Sequence, residues 1–383
     1  MKIFYLQMRS FHEAPGWRHL VGDLFAHLPD VSVITYKDKN SPAEGATCID
    51  CAKILNRRYP ANFLVRYVYE CILIIRAGFY SKYWKGADCC LVHSFPSMFL
   101  CVWLAKFVYR KKVAYWIQDL WPDNAAWLGA LRRGGLLYRI FAMLERYAYR
   151  KADAIITISD DIKARLQELG APGHKISVVH NWGHGDDPPD IAWADNLFVK
   201  KYGLSADKFY AVYAGHVGSA QNVDLITNAA AKLYQRDDIR FLILSTGAGF
   251  EQLKARCAGV KNVEFLPLEP VDMAYHVYSA ASVNLITLKK GVVYTALPSK
   301  TASVLACNRP LIACVDKASR YAALLREYGG LVADTDNAQE LADTIISIAD
   351  RKKPLDIRGR ECFNSHFSSA SAFEKFDKIF RGL

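Results

Sequence analysis

Residues 291–315 read GVVYTALPSKTASVLACNRPLIACV, and the fold follows from how that string divides. Gly291 to Leu297 read as a loop. Pro298 fixes φ and suits the first turn of a helix, Ser299 offers a capping hydroxyl to free backbone N–H groups, and Val304 and Leu305 supply an apolar face. Pro310 to Val315 is then a short apolar run of the kind that forms a buried strand. A helix start next to Lys300 attracts anions, because the partial charge of the helix end and the ammonium act together. The same residues also describe a capped helix packed on a sheet with Lys300 in water, so the choice rests on the rest of the chain.

Working outward, apolar strands alternate with amphipathic helices on both sides of this string. Before it come Lys2 to Met8, Val31 to Tyr36, Cys89 to Ser94, Val113 to Asp119, Ala154 to Ser159 and Ile176 to Asn181 as strands. Helices are expected over 17–28, 61–82, 96–109, 136–151 and 160–169. A second series runs Tyr210 to Gly215, Phe241 to Thr246, Val263 to Pro267 and Val283 to Thr287, and closes with a helix over 337–350 that Asp336 and Gln339 would cap as a box. This rhythm implies an α/β chain with two doubly wound, Rossmann-like parallel sheets, whose ligands lie at the carboxyl ends of the strands. The expected boundaries are a first domain over 1–185, a Pro- and Asp-rich linker over 186–196 and a second domain over 197–367. The last helix, about 368–383, is expected to return to the first domain.

At 383 residues the chain exceeds one ordinary core, and 52% hydrophobic with 23% charged residues is the composition of a folded globular protein. The start, MKIFYLQM, lacks the long apolar core of a leader, and the longest apolar window is broken by His93, Ser94, Pro96 and Ser97. Ten scattered cysteines suit a reducing compartment, and the pair Cys48 and Cys51 has no second pair at zinc-site spacing. The net charge of +11 is concentrated. Residues 53–151 hold seventeen Lys and Arg against the five acids Glu70, Asp88, Asp119, Asp123 and Glu145. Aromatic residues such as Tyr59, Tyr67, Tyr80, Trp84, Trp103 and Trp127 are interleaved with these cations, a combination suited to an anionic membrane surface. No nucleic-acid-binding motif accompanies them, so nucleic acid is not an expected partner.

Among candidate site residues, Gly215, His216 and Gly218 follow a strand and precede a helix, so N–H groups of Val217 to Ser219 would face a phosphate. Gln221 stands where a dinucleotide fingerprint has its third glycine, which argues against nicotinamide and flavin chemistry. Asp119 at a strand end would hold hydroxyls or accept a proton, or else cap the turn before Pro122. His180 is a further candidate. Asp334, Thr335 and Asp336 look like a metal-binding triplet but sit where turn and capping roles explain both acids.

Taken together, YAGHVGSAQNVD, ALPSKTASVLACNRPLIA, YWIQDLWPD and SVVHNW resemble the retaining GT-B glycosyltransferases of family 4 over essentially the whole chain. The likeness extends to the bacterial polysaccharide and O-antigen branch typified by colanic-acid and FucNAc transferases. That resemblance implies two domains facing a cleft and a nucleoside-diphosphate sugar, UDP-linked by preference, in the second domain. It implies a lipid-linked saccharide acceptor, retention without a metal or other cofactor, and a peripheral place on the inner face of a bacterial inner membrane. It makes Leu297, Pro298, Ser299, Lys300, Thr301 and Ser303 donor-binding, with Gly215, His216, Gly218 and Gln221 facing the phosphates. Leu268 would lie near the base, Gly16 in a loop over the diphosphate, and Asp119 on the sugar; Asp119 and Lys300 are the catalytic candidates. Two glutamates of the broader family are replaced here by Thr295 and Ser303, and its phosphate-binding Arg and Lys by His216 and Gln221. Lys300 is thus the main cation left for the leaving group. The rival classes are a nucleotide-sugar epimerase and a non-catalytic nucleotide-sugar-binding protein.

Overall fold

The computed structural model describes residues 1–8, 15–38, 51–57, 63–127, 129–185, 188–351 and 355–383. The chain forms two compact units, one of Met1–Asn181 with Ala372–Leu383, the other of Trp182–Ser371.

The first unit is a seven-stranded parallel sheet in the order β3-β2-β1-β4-β5-β6-β7. Its strands are β1 (Ile3–Gln7), β2 (Val31–Asp38), β3 (Cys51–Arg57), β4 (Cys89–His93), β5 (Lys112–Ile117), β6 (Ala154–Thr157) and β7 (Ile176–Val178). Both faces are covered by helices, which is why β1, β4 and β5 carry near-continuous buried apolar runs, broken only at their ends by Gln7, His93 and Lys112, rather than alternating. β3 was not expected from the sequence: CAKILNR carries Lys, Asn and Arg, and it pairs in parallel with β2. The expected helix over 61–82 is two helices, Phe63–Gly78 and Ser81–Gly86, and that over 96–109 is Phe99–Trp103 running into a π-helical stretch, Leu104–Val108. Leu136–Lys151 forms as expected. The helix Asp160–Glu168 starts where the Ser159 hydroxyl accepts the N–H of Ile162 at 3.1 Å. The last helix, Ser369–Arg381, docks Phe376 edge-on to Trp116 of β5 and stacks Phe373 on His27. Trp84 is fully buried, not at the surface, since its ring packs on Phe4 and Tyr109 and its indole N–H donates to the Ala77 carbonyl.

The second unit is a six-stranded parallel sheet ordered β10-β9-β8-β11-β12-β13. Its strands are β8 (Phe209–Ala214), β9 (Ile239–Ser245), β10 (Val263–Pro267), β11 (Val283–Thr287), β12 (Leu311–Cys314) and β13 (Leu331–Ala333). Tyr213, Ile226, Phe241, Leu285, Ile312 and Leu341 meet in one core between this sheet and the helices Val223–Lys232 and Ala338–Ala349. The latter helix is capped one residue later than expected, by Asn337, whose side chain accepts the N–H of Glu340. Asp336 is left in the preceding turn, where its N–H donates to Asp334, an ordinary turn role for this acidic triplet. The stretch 186–196 expected as a linker falls within the second unit and carries a 3-10 turn, Trp193–Asp195, before Asn196 caps the next helix.

Candidate functional site

The strand order of the second sheet reverses direction between β8 and β11, so successive crossovers leave in opposite senses there and open a crevice at the carboxyl ends. The turn after β8 and the string that leads from β11 to β12 both belong to that edge.

β8 is followed directly by Gly215, whose φ of +147° is one that side-chain-bearing residues rarely adopt. The reason for glycine is also spatial. A Cβ there would lie 2.8 Å from the Lys300 Nζ and 3.1 Å from its Cε. Lys300 runs across the strand end and sets its Nζ 3.5 Å from the centre of the Tyr213 ring. The Nζ is buried and makes no hydrogen bond with the described residues, and burial pulls its pKa down to about 7. The Tyr213 π face lies beside it, a weak substitute for water or a carboxylate. Tyr213 is itself fixed, because its hydroxyl donates to the His216 carbonyl at 2.7 Å.

The turn that follows is tight. The Gly218 N–H donates to the Gln221 side-chain oxygen at 3.2 Å, so one of the three N–H groups expected to face a phosphate already has a partner. A Cβ at Gly218 would strike the His216 ring at 2.6 Å. His216 is exposed. Asn222 ties the turn to the loop after β13 through the Thr335 carbonyl at 2.8 Å.

The LPSK string departs from expectation at its helix. The helix is Thr301–Ala306, six residues long, with Lys300 at the cap position and no side-chain capping bond. Ser299 is exposed and does not cap. The Thr301 hydroxyl is taken by the Pro298 carbonyl at 2.7 Å and the Tyr321 hydroxyl at 2.9 Å, which makes it a structural pin rather than a phosphate ligand. Ser303 and Thr295 are buried, and the Thr295 hydroxyl donates to Val292. Leu297 and Pro298 are half-buried. At the end of β10, the Leu268 N–H donates to Ser245 and its side chain stays exposed, open to a flat apolar group. The structure thus brings Gly215, His216, Gly218, Gln221 and Lys300 to one edge. It adds Tyr213, which sequence reasoning missed although it precedes Gly215 by two residues.

Asp119 and Gly16 belong to the first unit. Asp119 lies two residues past β5, exposed, on the wall of a cavity of about 380 Å³ shared with Arg66, Tyr67, Glu70, Trp121 and Asn124. The protein atoms crowding its carboxyl raise its pKa, and a hydrogen bond with Asn124 opposes the rise. Glu70 is buried in the same wall, in reach of the Ser97 hydroxyl. Gly16 lies in the first turn of the helix Pro15–His27 rather than in a loop. His180 is buried. The side chains of Cys48, Cys51 and Tyr59 lie outside the described residues.

Comparison with known proteins agrees with this division. A family described as "Glycosyl transferase 4-like domain" matches residues 19–182, and one described as "Glycosyl transferases group 1" matches residues 208–351. The chain is 23% identical over 311 residues to "Probable glycosyltransferase WbjE" of Pseudomonas aeruginosa, covering 78% of this chain and 76% of that one. It is 25% identical over 234 residues to "Putative colanic acid biosynthesis glycosyl transferase WcaI" of Escherichia coli (strain K12), covering 60% of this chain and 57% of that one. In three dimensions it is similar to Anabaena Alr3699/HepE, solved in complex with UDP, with a TM-score of 0.74, 14% identity and full coverage of both chains.

Proposed function

We infer a specific reaction from one premise: this chain belongs to the glycosyltransferases of the GT-B type, by the match of both its domains. In our reading it moves a sugar from a nucleoside-diphosphate donor, UDP-linked by preference, to a lipid-linked saccharide in bacterial surface-glycan assembly, with retention. The UDP bound by the Anabaena protein and the colanic acid biosynthesis named for the Escherichia coli relative support that choice.

The observation that carries it is Lys300. A cation that is buried, unbonded and half-discharged at neutral pH is costly to keep unless something anionic arrives to use it. A diphosphate at the end of β8 would draw a proton onto the Nζ and receive a full charge-assisted hydrogen bond in return. That bond strengthens as the sugar departs and charge collects on the leaving nucleotide, so it lowers the barrier more than it aids ground-state binding. Gly215 leaves the room this requires, and exposed Leu268 offers the base an apolar face. Asp119, on the wall of the first unit's cavity, orients the acceptor or takes its proton. Departure and attack on one face of the sugar account for retention without a protein nucleophile, and no metal or organic cofactor takes part in this reading.

Lys300→Ala is expected to lower kcat about a hundredfold or more. Its melting temperature should fall by only a few degrees, from the packing lost on Tyr213, and circular dichroism should show a folded protein. Turnover within threefold of wild type would remove Lys300 from the reaction. The anomeric configuration of the product, read by NMR, tests retention separately.

A further inference from the structure

Three neighbouring strands of the second sheet, β9, β8 and β11, end on one level. β9 pairs with β8 as far as Leu244 and Ala214, and the Gly215 N–H donates to the Leu244 carbonyl at 2.9 Å, so Ser245 stands level with Gly215. β11 pairs with β8 at Val283–Ala211 and Asn284–Val212. Counting on along both strands, Thr287 also comes level with Gly215. Side chains alternate across a strand, so sequence parity decides the face. Phe241 and Ile243 of β9, Ala211 and Tyr213 of β8, and Val283 and Leu285 of β11 all lie in the core that includes Ile226 and Leu341. Ser245, Gly215 and Thr287 continue those three rows on that same face.

On β9 and β11 the row is apolar until this last position, where both strands change to a hydroxyl. Ser245 is 1% exposed and Thr287 2%, and neither hydroxyl has a hydrogen-bond partner among the described residues. A buried polar group without a partner loses its hydration and gains nothing in return. Between the two strands, over Gly215, lies the Lys300 Nζ, unbonded as well. An ammonium brings three N–H donors and no acceptor. The Tyr213 ring face meets it on one side, and the two hydroxyl oxygens are acceptors on the strands to its left and right. Adjacent strands lie ~4.8 Å apart, so a rotation of either hydroxyl side chain or one bridging water closes the distance.

We propose that Ser245 and Thr287 are positioning residues for Lys300, whose oxygens accept from its ammonium and keep it charged over the end of β8 until a diphosphate arrives. This role rests on the reading of Lys300 as the cation of the leaving group. The other titratable groups along this edge are Tyr213 itself, exposed His216, Lys289 and Lys290 past β11, Asp316 past β12, and Tyr321, which bonds Thr301. Burial, not a neighbouring charge, is what lowers the Lys300 pKa. Hydrogen bonds to the charged form oppose that fall, so removing both oxygens lowers it further.

The test titrates the full-length protein, labelled with carbon-13 at the lysine Cε atoms, by NMR. The Lys300 signal is identified by its loss in Lys300→Ala. The wild type is compared with the double variant Ser245→Ala and Thr287→Val, and with Thr287→Ser alone, which keeps its oxygen; thermal melting checks the fold of each. Without ligand, the Lys300 midpoint of the double variant is expected at least ~0.5 pH unit below wild type, about threefold in proton affinity, and that of Thr287→Ser at the wild-type value. UDP titration supplies the second readout. The double variant should bind UDP about threefold more weakly than wild type at pH 8, where the lost proton must be regained, and nearly equally at pH 6. The same Lys300 midpoint in wild type and the folded double variant would overturn the positioning role. So would a loss of UDP affinity that is equal at both pH values, the mark of a merely structural change. A Lys300 signal that UDP leaves unmoved would count against the donor reading, and the ligand-free midpoints would still decide the part played by the hydroxyls.

Discussion

At the scale of single residues, the most consequential pair is one whose members are 85 positions apart in the chain, Gly215 and Lys300. Glycine at the end of β8 does two things: it accepts a φ of +147° and it leaves the volume that the lysine side chain occupies. Any Cβ forces Lys300 off the Tyr213 ring or strains the turn, at about 1–3 kcal/mol for the backbone alone. Gly215→Ala is therefore expected to weaken UDP binding about tenfold or more by titration and to lower the melting temperature by a few degrees. UDP affinity equal to wild type would mean that the lysine's position over β8 is irrelevant to the ligand. Spacing could suggest Lys300 as a cation near a helix start, but not its resting place, because a side chain's route across a strand end depends on what folds beside it. Ser299 and Thr301 show the reverse: the hydroxyls were readable, yet one does not cap and the other is consumed by Tyr321.

At the scale of elements, the helix Leu136–Lys151 carries apolar side chains outward and a carboxyl inward. Glu145 is buried against the sheet, accepts from the Tyr115 hydroxyl at 2.9 Å, and has its pKa raised to about 8 by loss of water. Its folded pKa exceeds its unfolded one, about 4.3, so the native state binds the extra proton between those values. The resulting stability is fully present below pH ~4 and is lost as pH rises toward 8, at no more than about 1.4 kcal/mol per pH unit. Glu145→Gln removes that dependence. Relative to wild type, the variant is expected to gain urea resistance between pH 5 and pH 8, and a constant difference across that range would contradict a buried, protonated carboxyl. Period and length disclosed this helix well, since it is long, amphipathic and followed by a strand. They failed for β3, whose Lys, Asn and Arg break an apolar run, and for the helix Phe63–Gly78, where uniform hydrophobicity conceals which face meets solvent.

At the scale of the molecule, two parallel sheets were legible because buried parallel strands need unbroken apolar runs such as FLIL and VAYWI, and few other structures use them. The boundaries were less legible. The stretch 186–196 looks like a tether by composition, yet it holds a 3-10 turn and a capping asparagine inside the second unit, because Pro and Asp serve helix starts as well as linkers. The distribution of charge over residues 53–151 was visible, whereas the burial of Glu70, Asp123 and Glu145 was not, since burial of a carboxyl depends on partners far away in sequence. One measurement bears most directly on the central claim, a crystal structure of the full chain with UDP. The account predicts the Lys300 Nζ drawn from the Tyr213 ring to about 2.7–2.9 Å from a diphosphate oxygen. A diphosphate held elsewhere, with the Nζ still over that ring, would contradict it.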